Sequence, residues 1–148
     1  MMSDRNIARQ AASAGLVACG IYQIALGIYF MAFRPSLLPE DLRYIGSSAV
    51  NILSSAAGLE PWLQWVFTVM GGQMLCVGVL ILLATARLRR IGSASIAEIA
   101  FLTVGAGASV GLMSAVNFVI DSEFRWALLI PVALWVAVLV LLVYGRKP

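Results

Sequence analysis

Polar side chains inside long apolar stretches are the first feature of this 148-residue sequence that could do chemistry. Gln23 and Gln73 each lie deep within such a stretch, and Ser109 and Asn117 lie within a third. An amide both donates and accepts hydrogen bonds, so these side chains could hold one carbonyl, hydroxyl or quinone-like group of an otherwise apolar molecule. They could equally bind one another between helices, where such a contact contributes ~0.6 kcal/mol on average. The sequence leaves both interpretations open.

Several other chemistries are excluded by composition. The chain has no histidine, which excludes His-ligated haem, His-containing zinc sites and a Ser-His-Asp triad. No Asp, Glu, Lys, Arg or His lies near the middle of an apolar stretch, whereas proton-coupled carriers generally need one there. We therefore expect no metal site, no cofactor and no catalytic residue within the apolar segments.

The acidic side chains outside the apolar stretches leave a second class of function open. Glu40, Asp41 and Asp121 fall in segments between the stretches, where one of them could act as the acid or base of a membrane enzyme. Carboxylates near helix starts are more simply explained as caps that complement the helix dipole. A carrier that passes a neutral solute through the glutamine layer is a third alternative.

The elements that must position these residues are membrane helices. The sequence is 61% hydrophobic and 11% charged, with a mean hydropathy of +0.95, which indicates a membrane protein. Apolar stretches at about 11–33, 62–86, 96–120 and 124–144 are each long enough to cross a hydrocarbon core of ~30 Å. We predict an all-α fold: one integral membrane four-helix bundle, residues 1–148, with short helices in an outer loop over 34–61.

Depth within these helices predicts a shared polar layer. At ~1.5 Å per residue, Gln23 and Gln73 both lie roughly 18 to 20 Å from the same membrane face, and Ser109 reaches a similar level. An amide that faces lipid would leave its donors unpaired, so both glutamines are predicted to face the interior. The predicted ligand-binding set is Gln23, Gln73, Ser109, Asn117, Gly72 and Cys76.

Small residues predict where the helices approach closely. Gly20 and Gly27 share a face of the first helix, and Gly72 is assigned with Gln73 and Cys76 to one face of the second. Both cysteines, Cys19 and Cys76, are predicted to be small buried residues. In the third helix Gly107 and Gly111 form a GxxxG pair, and Gly105 and Ser109 a similar one. We predict that these pack within the bundle, with a homodimer as the alternative.

The connections carry local signals of their own. Pro39 suits the first turn of a short helix that Gly46 would end, and a second short helix near 48–57 would be capped by Ser47 or Ser48. Ser95 and Glu98 form a capping box at the start of the third long helix.

The basic residues are distributed unequally between the two ends of the helices. Seven lie at one end, namely Arg5, Arg9, Arg87, Arg89, Arg90, Arg146 and Lys147, and three at the other, namely Arg34, Arg43 and Arg125. Because basic residues resist translocation, both termini are predicted to be cytoplasmic. Trp62, Trp65 and Trp126 fall at the opposite, outer ends. The pI near 9.2 is explained by this topology, so we expect no nucleic-acid partner.

Two segments and a glycine pattern carry a resemblance to known proteins. The segments LLPEDLRYIG and LEPWLQWVFTVMGG, and Gly71-Gly72 followed by Gly78, resemble the DoxX-like group and related small bacterial inner-membrane proteins of unassigned function. The resemblance implies a multi-pass protein of the bacterial inner membrane, associated with a larger membrane complex, and supplies no catalytic residue. We therefore expect a non-catalytic bundle in the lipid bilayer that binds an apolar small molecule, a lipid, another membrane subunit or a second copy.

Overall fold

The computed structural model describes residues 4–92 and 94–145, apart from the side chain of residue 106. Over these residues the secondary structure is helical, without strands. The helices are α1 (Asp4–Ala32), α2 (Pro39–Ile45), α3 (Ala49–Ser55), α4 (Leu59–Ile91), α5 (Ile96–Phe101), α6 (Gly107–Val119) and α7 (Leu129–Tyr144). A π-helical turn, Leu102–Ala106, joins α5 to α6. Arg146 and Lys147, which entered the count of basic residues, lie outside the described residues.

Among the described residues, three helices are long and apolar enough to cross a membrane. They are α1, α4 and the continuous helix Ile96–Val119, which we call the α5–α6 rod. The predicted all-α class is confirmed, and these helices indicate a membrane protein. The fourth apolar helix, α7, has 16 residues and is shorter than the other three.

The start of α7 differs from the prediction. The apolar pattern predicts a helix from residue 124, but residues 123–128 form turns and the helix begins at Leu129. Pro131 explains the difference, because proline has no backbone N–H to donate and fits only the first turn of a helix. Asp121, with φ of 53°, lies in the chain reversal that follows the rod.

Paired glycines set the distance between α1 and α4. A Cβ added at Gly20 would lie 3.2 Å from the carbonyl oxygen of Gly78, and one added at Gly27 would lie 2.6 Å from that of Gly71. Gly20 and Gly27 are seven residues apart, and so are Gly71 and Gly78. This spacing keeps the two glycines of each helix on one face. The two backbones therefore touch at two points along antiparallel helices.

The face predicted for the second long helix is wrong. Gly71 and Gly78 contact α1, whereas Gln73 and Cys76 are exposed and a Cβ added at Gly72 would meet nothing within 4 Å. At about 100° per residue, Gln73 lies roughly 200° around α4 from Gly71, on the opposite side of the helix. The predicted interior positions of Gln73 and Cys76 are thereby contradicted.

The core lies where α1 meets both α4 and α7. Its buried members include Leu16 and Cys19 of α1, Ile81 of α4, and Trp135 and Val138 of α7. The α5–α6 rod contributes Leu102 from its π-helical turn. Added Cβ atoms at Gly105 and Gly111 would meet nothing within 4 Å. The predicted packing of the rod's glycines inside the bundle is therefore wrong at these two positions.

The outer loop is held against the turn that precedes α7. Both predicted short helices are present: Gly46 ends α2 with φ of 72°, and the Ser48 hydroxyl accepts a hydrogen bond from the backbone N–H of Asn51. The hydroxyl of buried Ser122 donates to the carboxylate of buried Glu40 at 3.1 Å. This contact joins α2 to the connection between α6 and α7.

Candidate functional site

A cavity of about 270 Å³ lies between the C-terminal half of α1 and the first turns of α7. It receives side chains from α1, α4, α6, α7 and the turn before α7. Its lining consists of Cys19, Tyr22, Gln23, Ile81, Val110, Ala127, Ile130, Pro131, Leu134 and Trp135. Most of these side chains are apolar, so the few polar groups among them decide what the cavity can recognise.

Three of these residues carry buried polar atoms that have no hydrogen-bond partner among the described residues. The atoms are the Tyr22 hydroxyl, both the oxygen and the nitrogen of the Gln23 amide, and the indole Nε1 of Trp135. In the part of the chain that the structure describes, every buried side-chain polar atom without a hydrogen bond belongs to one of these three residues. Residues with unmet donors and acceptors therefore lie beside a cavity whose surface is almost entirely apolar.

The packing of α1 explains why Gln23 is buried. Gly20 and Gly27 bring α1 against α4 on either side of Gln23, and the Gln23 side chain is only 1% exposed. An amide in such a place normally finds a hydrogen-bond partner, because leaving it unpaired costs about 1–3 kcal/mol.

A glycine of α6 makes room for the indole. A Cβ added at Gly107 would lie 3.2 Å from the Trp135 Nε1 atom. Trp135 is 4% exposed, so its N–H cannot reach bulk water. Gly107 thus lets the α5–α6 rod lie close to the indole N–H of Trp135, but it has no side chain that could accept a hydrogen bond from this group.

The mouth of the cavity lies at the start of α7. Ile130 is 70% exposed and Ala127 is also exposed, whereas Gln23 and Trp135 at the other side are buried. In a membrane, this exposed apolar rim would face lipid rather than water. An apolar molecule could therefore enter sideways from lipid.

The chemistry that this arrangement supports is binding. The Gln23 amide offers two donor hydrogens and an acceptor, the Tyr22 hydroxyl offers both functions, and the indole donates only. Cys19 and Tyr22 are the titratable residues of the described lining. Nowhere in residues 4–92 and 94–145 do three His, Cys, Asp or Glu side chains gather in a way that could hold a metal ion.

Of the six residues that the sequence assigned to a ligand site, the structure places Gln23 in the cavity. Gln73 and Cys76 are exposed, and Gly72, Ser109 and Asn117 are half-buried without lining it. The Asn117 amide donates to the carbonyl oxygen of Met113 at 2.8 Å, one turn back on its own helix. The predicted polar layer therefore does not form.

Tyr22 and Trp135 are the polar groups that the sequence interpretation missed. Tyr22 is next to Gln23 in the chain, so its position at the same depth could have been read from the sequence. Trp135 also had a signal. The other three tryptophans fall near predicted helix ends, where the membrane interface explains them, and Trp135 lies well inside the last apolar stretch.

The acidic residues considered for catalysis are engaged in structural contacts. The Asp41 carboxylate accepts from the backbone N–H of Leu38 at 2.9 Å and pairs with Arg34 at 3.3 Å. Asp121 pairs with Arg125, and Glu40 accepts from Ser122. These contacts cap helices and fasten the outer loop, and they favour a structural role over that of an acid or base.

Comparison of the chain with protein-family models, with curated proteins and with solved structures found no match. The resemblance to the DoxX-like group therefore stays a prediction.

Proposed function

We propose that this chain is a four-helix protein of the bacterial inner membrane, with both termini cytoplasmic, that binds a small apolar molecule carrying a hydrogen-bonding group. One observation carries the proposal. The unpartnered buried side-chain atoms of the described residues all belong to Tyr22, Gln23 and Trp135, and these three residues line one apolar cavity.

The unpartnered amide of Gln23 favours a role in ligand binding over a role in helix packing. A glutamine that joins two helices would hydrogen-bond to the neighbouring helix. Within the described residues, neither atom of the Gln23 amide has such a bond. A ligand with a hydroxyl or carbonyl group would satisfy this amide and remove the penalty of ~1–3 kcal/mol for an unpaired buried group.

The dimensions and lining narrow the class of ligand. Small-molecule sites usually measure ~300–1,000 Å³, so a volume of about 270 Å³ suits a single ring or the head of a longer apolar molecule. A hydroxyl, carbonyl or quinone-like oxygen would lie at Gln23 and Tyr22, and the apolar part would extend toward Ile130. A charged group would find no counter-charge among the described lining residues.

The outward faces of the long helices support the remaining expectations about partners. Large apolar side chains are exposed along α4 and the α5–α6 rod, including Val69, Leu83, Val104 and Leu112. Such faces suit lipid tails, and the uncovered Gly105 and Gly111 would also admit a second copy or another membrane subunit.

Two nearly isosteric probes test the proposed cavity. p-Cresol and p-xylene differ by a hydroxyl in place of a methyl group, and thermal unfolding of the purified protein in detergent can be followed with each. We expect p-cresol to raise the melting temperature more than p-xylene, because a bound ligand stabilises the folded state. Gln23→Leu should weaken the apparent affinity for p-cresol by about tenfold, the effect of one lost hydrogen bond.

Gln73→Leu is the matched control, because it makes the same chemical change on the exposed face of α4. Because both variants are measured in the same detergent, the partitioning of each probe into the micelle affects them equally. Equal responses of the two variants to p-cresol would overturn the proposal. In that case, mass spectrometry of organic extracts should show the same retained molecules in the wild-type protein and in Gln23→Leu.

A further inference from the structure

A polar cleft opens at the other end of the molecule, where α1 begins and α4 ends. Its volume is about 490 Å³, and it lies far along α1 from the Gln23 cavity. Its polar side chains come from Asn6, Arg9, Gln10, Ser13 and Arg89, and Gly92 borders it.

Both arginines of this cleft are fixed through one nitrogen. The Nε of Arg89 donates to the hydroxyl of buried Ser13 at 2.6 Å, and the Nε of Arg9 donates to the carbonyl oxygen of Gly145 at 2.8 Å. An arginine has four further N–H donors on its two terminal nitrogens. For Arg9 and Arg89, no hydrogen bond from these terminal nitrogens occurs within the described residues.

The charge of the cleft is not balanced by the described part of the chain. Ion pairs there join Arg34 to Asp41, Arg43 to Glu123, Arg87 to Glu98 and Arg125 to Asp121. None of them involves Arg9 or Arg89. Two guanidinium groups that line one cleft favour an anion with several oxygens, and a phosphate group matches the paired donors of each.

Helix capping explains the anchored nitrogens but not the free ones. Arg89 lies in the last turn of α4, where a cation complements the helix dipole, and Arg9 satisfies the carbonyl of Gly145, the residue that follows α7. Each of these roles uses Nε or the net charge alone. The terminal nitrogens remain available to a ligand.

Position along the helices favours a lipid as the source of the phosphate. The cleft lies just past the apolar stretch of α4, which ends near Ala86, and therefore at the level of lipid headgroups if α4 crosses a bilayer. Basic pockets between membrane helices bind anionic headgroups in this way. We propose that Arg9 and Arg89 bind the phosphate group of an anionic phospholipid.

A pair of double variants tests this site. Arg9→Gln with Arg89→Gln removes both cleft charges, and Arg5→Gln with Arg90→Gln removes two exposed charges at the same end but outside the cleft. Binding of phosphatidylglycerol and of phosphatidylcholine is measured by native mass spectrometry of the detergent-solubilised protein. We expect the cleft variant to lose roughly fivefold or more in phosphatidylglycerol affinity for each arginine removed, and the control to lose less.

Equal losses in the two double variants would show a general surface charge effect and overturn the proposal, as would equal binding of the two lipids by the wild-type protein. Inorganic phosphate provides the other arm. Displacement of the lipid by millimolar inorganic phosphate would assign the site to free phosphate, and no displacement would assign it to the lipid.

Two single variants cover the case in which the double variant does not fold. Arg89→Gln leaves the bond between Arg9 and Gly145 intact. Ser13→Ala keeps both charges but frees the Arg89 guanidinium from its anchor. Each should weaken phosphatidylglycerol binding, and unchanged binding in both would overturn the proposal.

Discussion

At the scale of single residues, two glutamines of similar expected depth have opposite surroundings. Gln23 is 1% exposed and unpartnered beside a cavity, whereas Gln73 is exposed on the far side of α4. The same side chain is therefore a recognition group in one place and a surface group in the other. Its environment, and not its type, gives it a role.

The stability of Gln23→Leu measured without added ligand tests whether the amide serves binding or packing. Leucine has a similar size and no polar atoms, so replacing an unpaired amide should stabilise the fold, by up to ~1–3 kcal/mol. Equilibrium unfolding in mixed micelles with increasing denaturing detergent gives the free energy of unfolding. The same change at Gln73, on an exposed apolar face, should alter stability little.

A lower stability of Gln23→Leu would contradict this expectation. It would mean that the amide makes a structural hydrogen bond, as interhelical contacts do. Combined with the p-cresol measurement, the two results separate a binding site that lowers stability from a packing contact that raises it.

The sequence predicted Gln23 because the cost of exposing an amide to lipid is independent of the rest of the fold. The same rule failed for Gln73, since burial also requires a neighbouring helix on that side. Trp135 escaped prediction for a related reason. Its role depends on Gly107 of another helix, and a contact between distant segments leaves no local pattern.

At the scale of elements, the rotational position of α4 is what the sequence did not determine. The ends at Gly46 and Ser95 were predicted correctly, and the structure selects Ser48 from the two predicted caps Ser47 and Ser48, because each signal depends on residues within one turn. The choice between Gly71 and Gly72 depends on which face meets α1. The equal spacing of seven residues in Gly20–Gly27 and Gly71–Gly78 was the signal that favours Gly71.

Alanine substitutions at these adjacent glycines test the helix contact. At Gly71 the new Cβ would lie 2.5 Å from the carbonyl oxygen of Gly27 and 3.0 Å from the backbone nitrogen of Met31, so the backbones must separate. We expect Gly71→Ala to lower the free energy of unfolding by ~1–3 kcal/mol. Gly72→Ala meets nothing within 4 Å and should be neutral or stabilising, because alanine favours helix by up to ~1 kcal/mol.

The two variants have the same composition and differ by one position, so their difference reports the contact alone. If Gly72→Ala proves to be the more destabilising, α4 presents its other face to α1. Gln73 and Cys76 would then return to the interior, and the originally predicted polar layer would be restored.

At the scale of the whole molecule, α7 decides whether the chain crosses the membrane three or four times. Its 16 residues extend about 24 Å at ~1.5 Å per residue, which is less than a hydrocarbon core of ~30 Å. The turn before it carries Phe124, Trp126, Ala127 and Leu128, and these apolar side chains can complete the crossing. The predicted orientation, with both termini cytoplasmic, also needs four crossings, since three would place the termini on opposite sides.

Cysteine labelling in intact cells measures this directly. In a background with Cys19→Ala and Cys76→Ala, single cysteines are introduced as Arg5→Cys, Glu123→Cys or Lys147→Cys. Glu123 is well exposed, so its replacement leaves the core untouched. We expect a membrane-impermeant maleimide to label position 123 in spheroplasts, and positions 5 and 147 only after lysis. Labelling of both 123 and 147 in spheroplasts would show that α7 lies along the outer surface. The mouth of the cavity at Ile130 would then open to water or headgroups, and lateral entry from lipid would no longer hold.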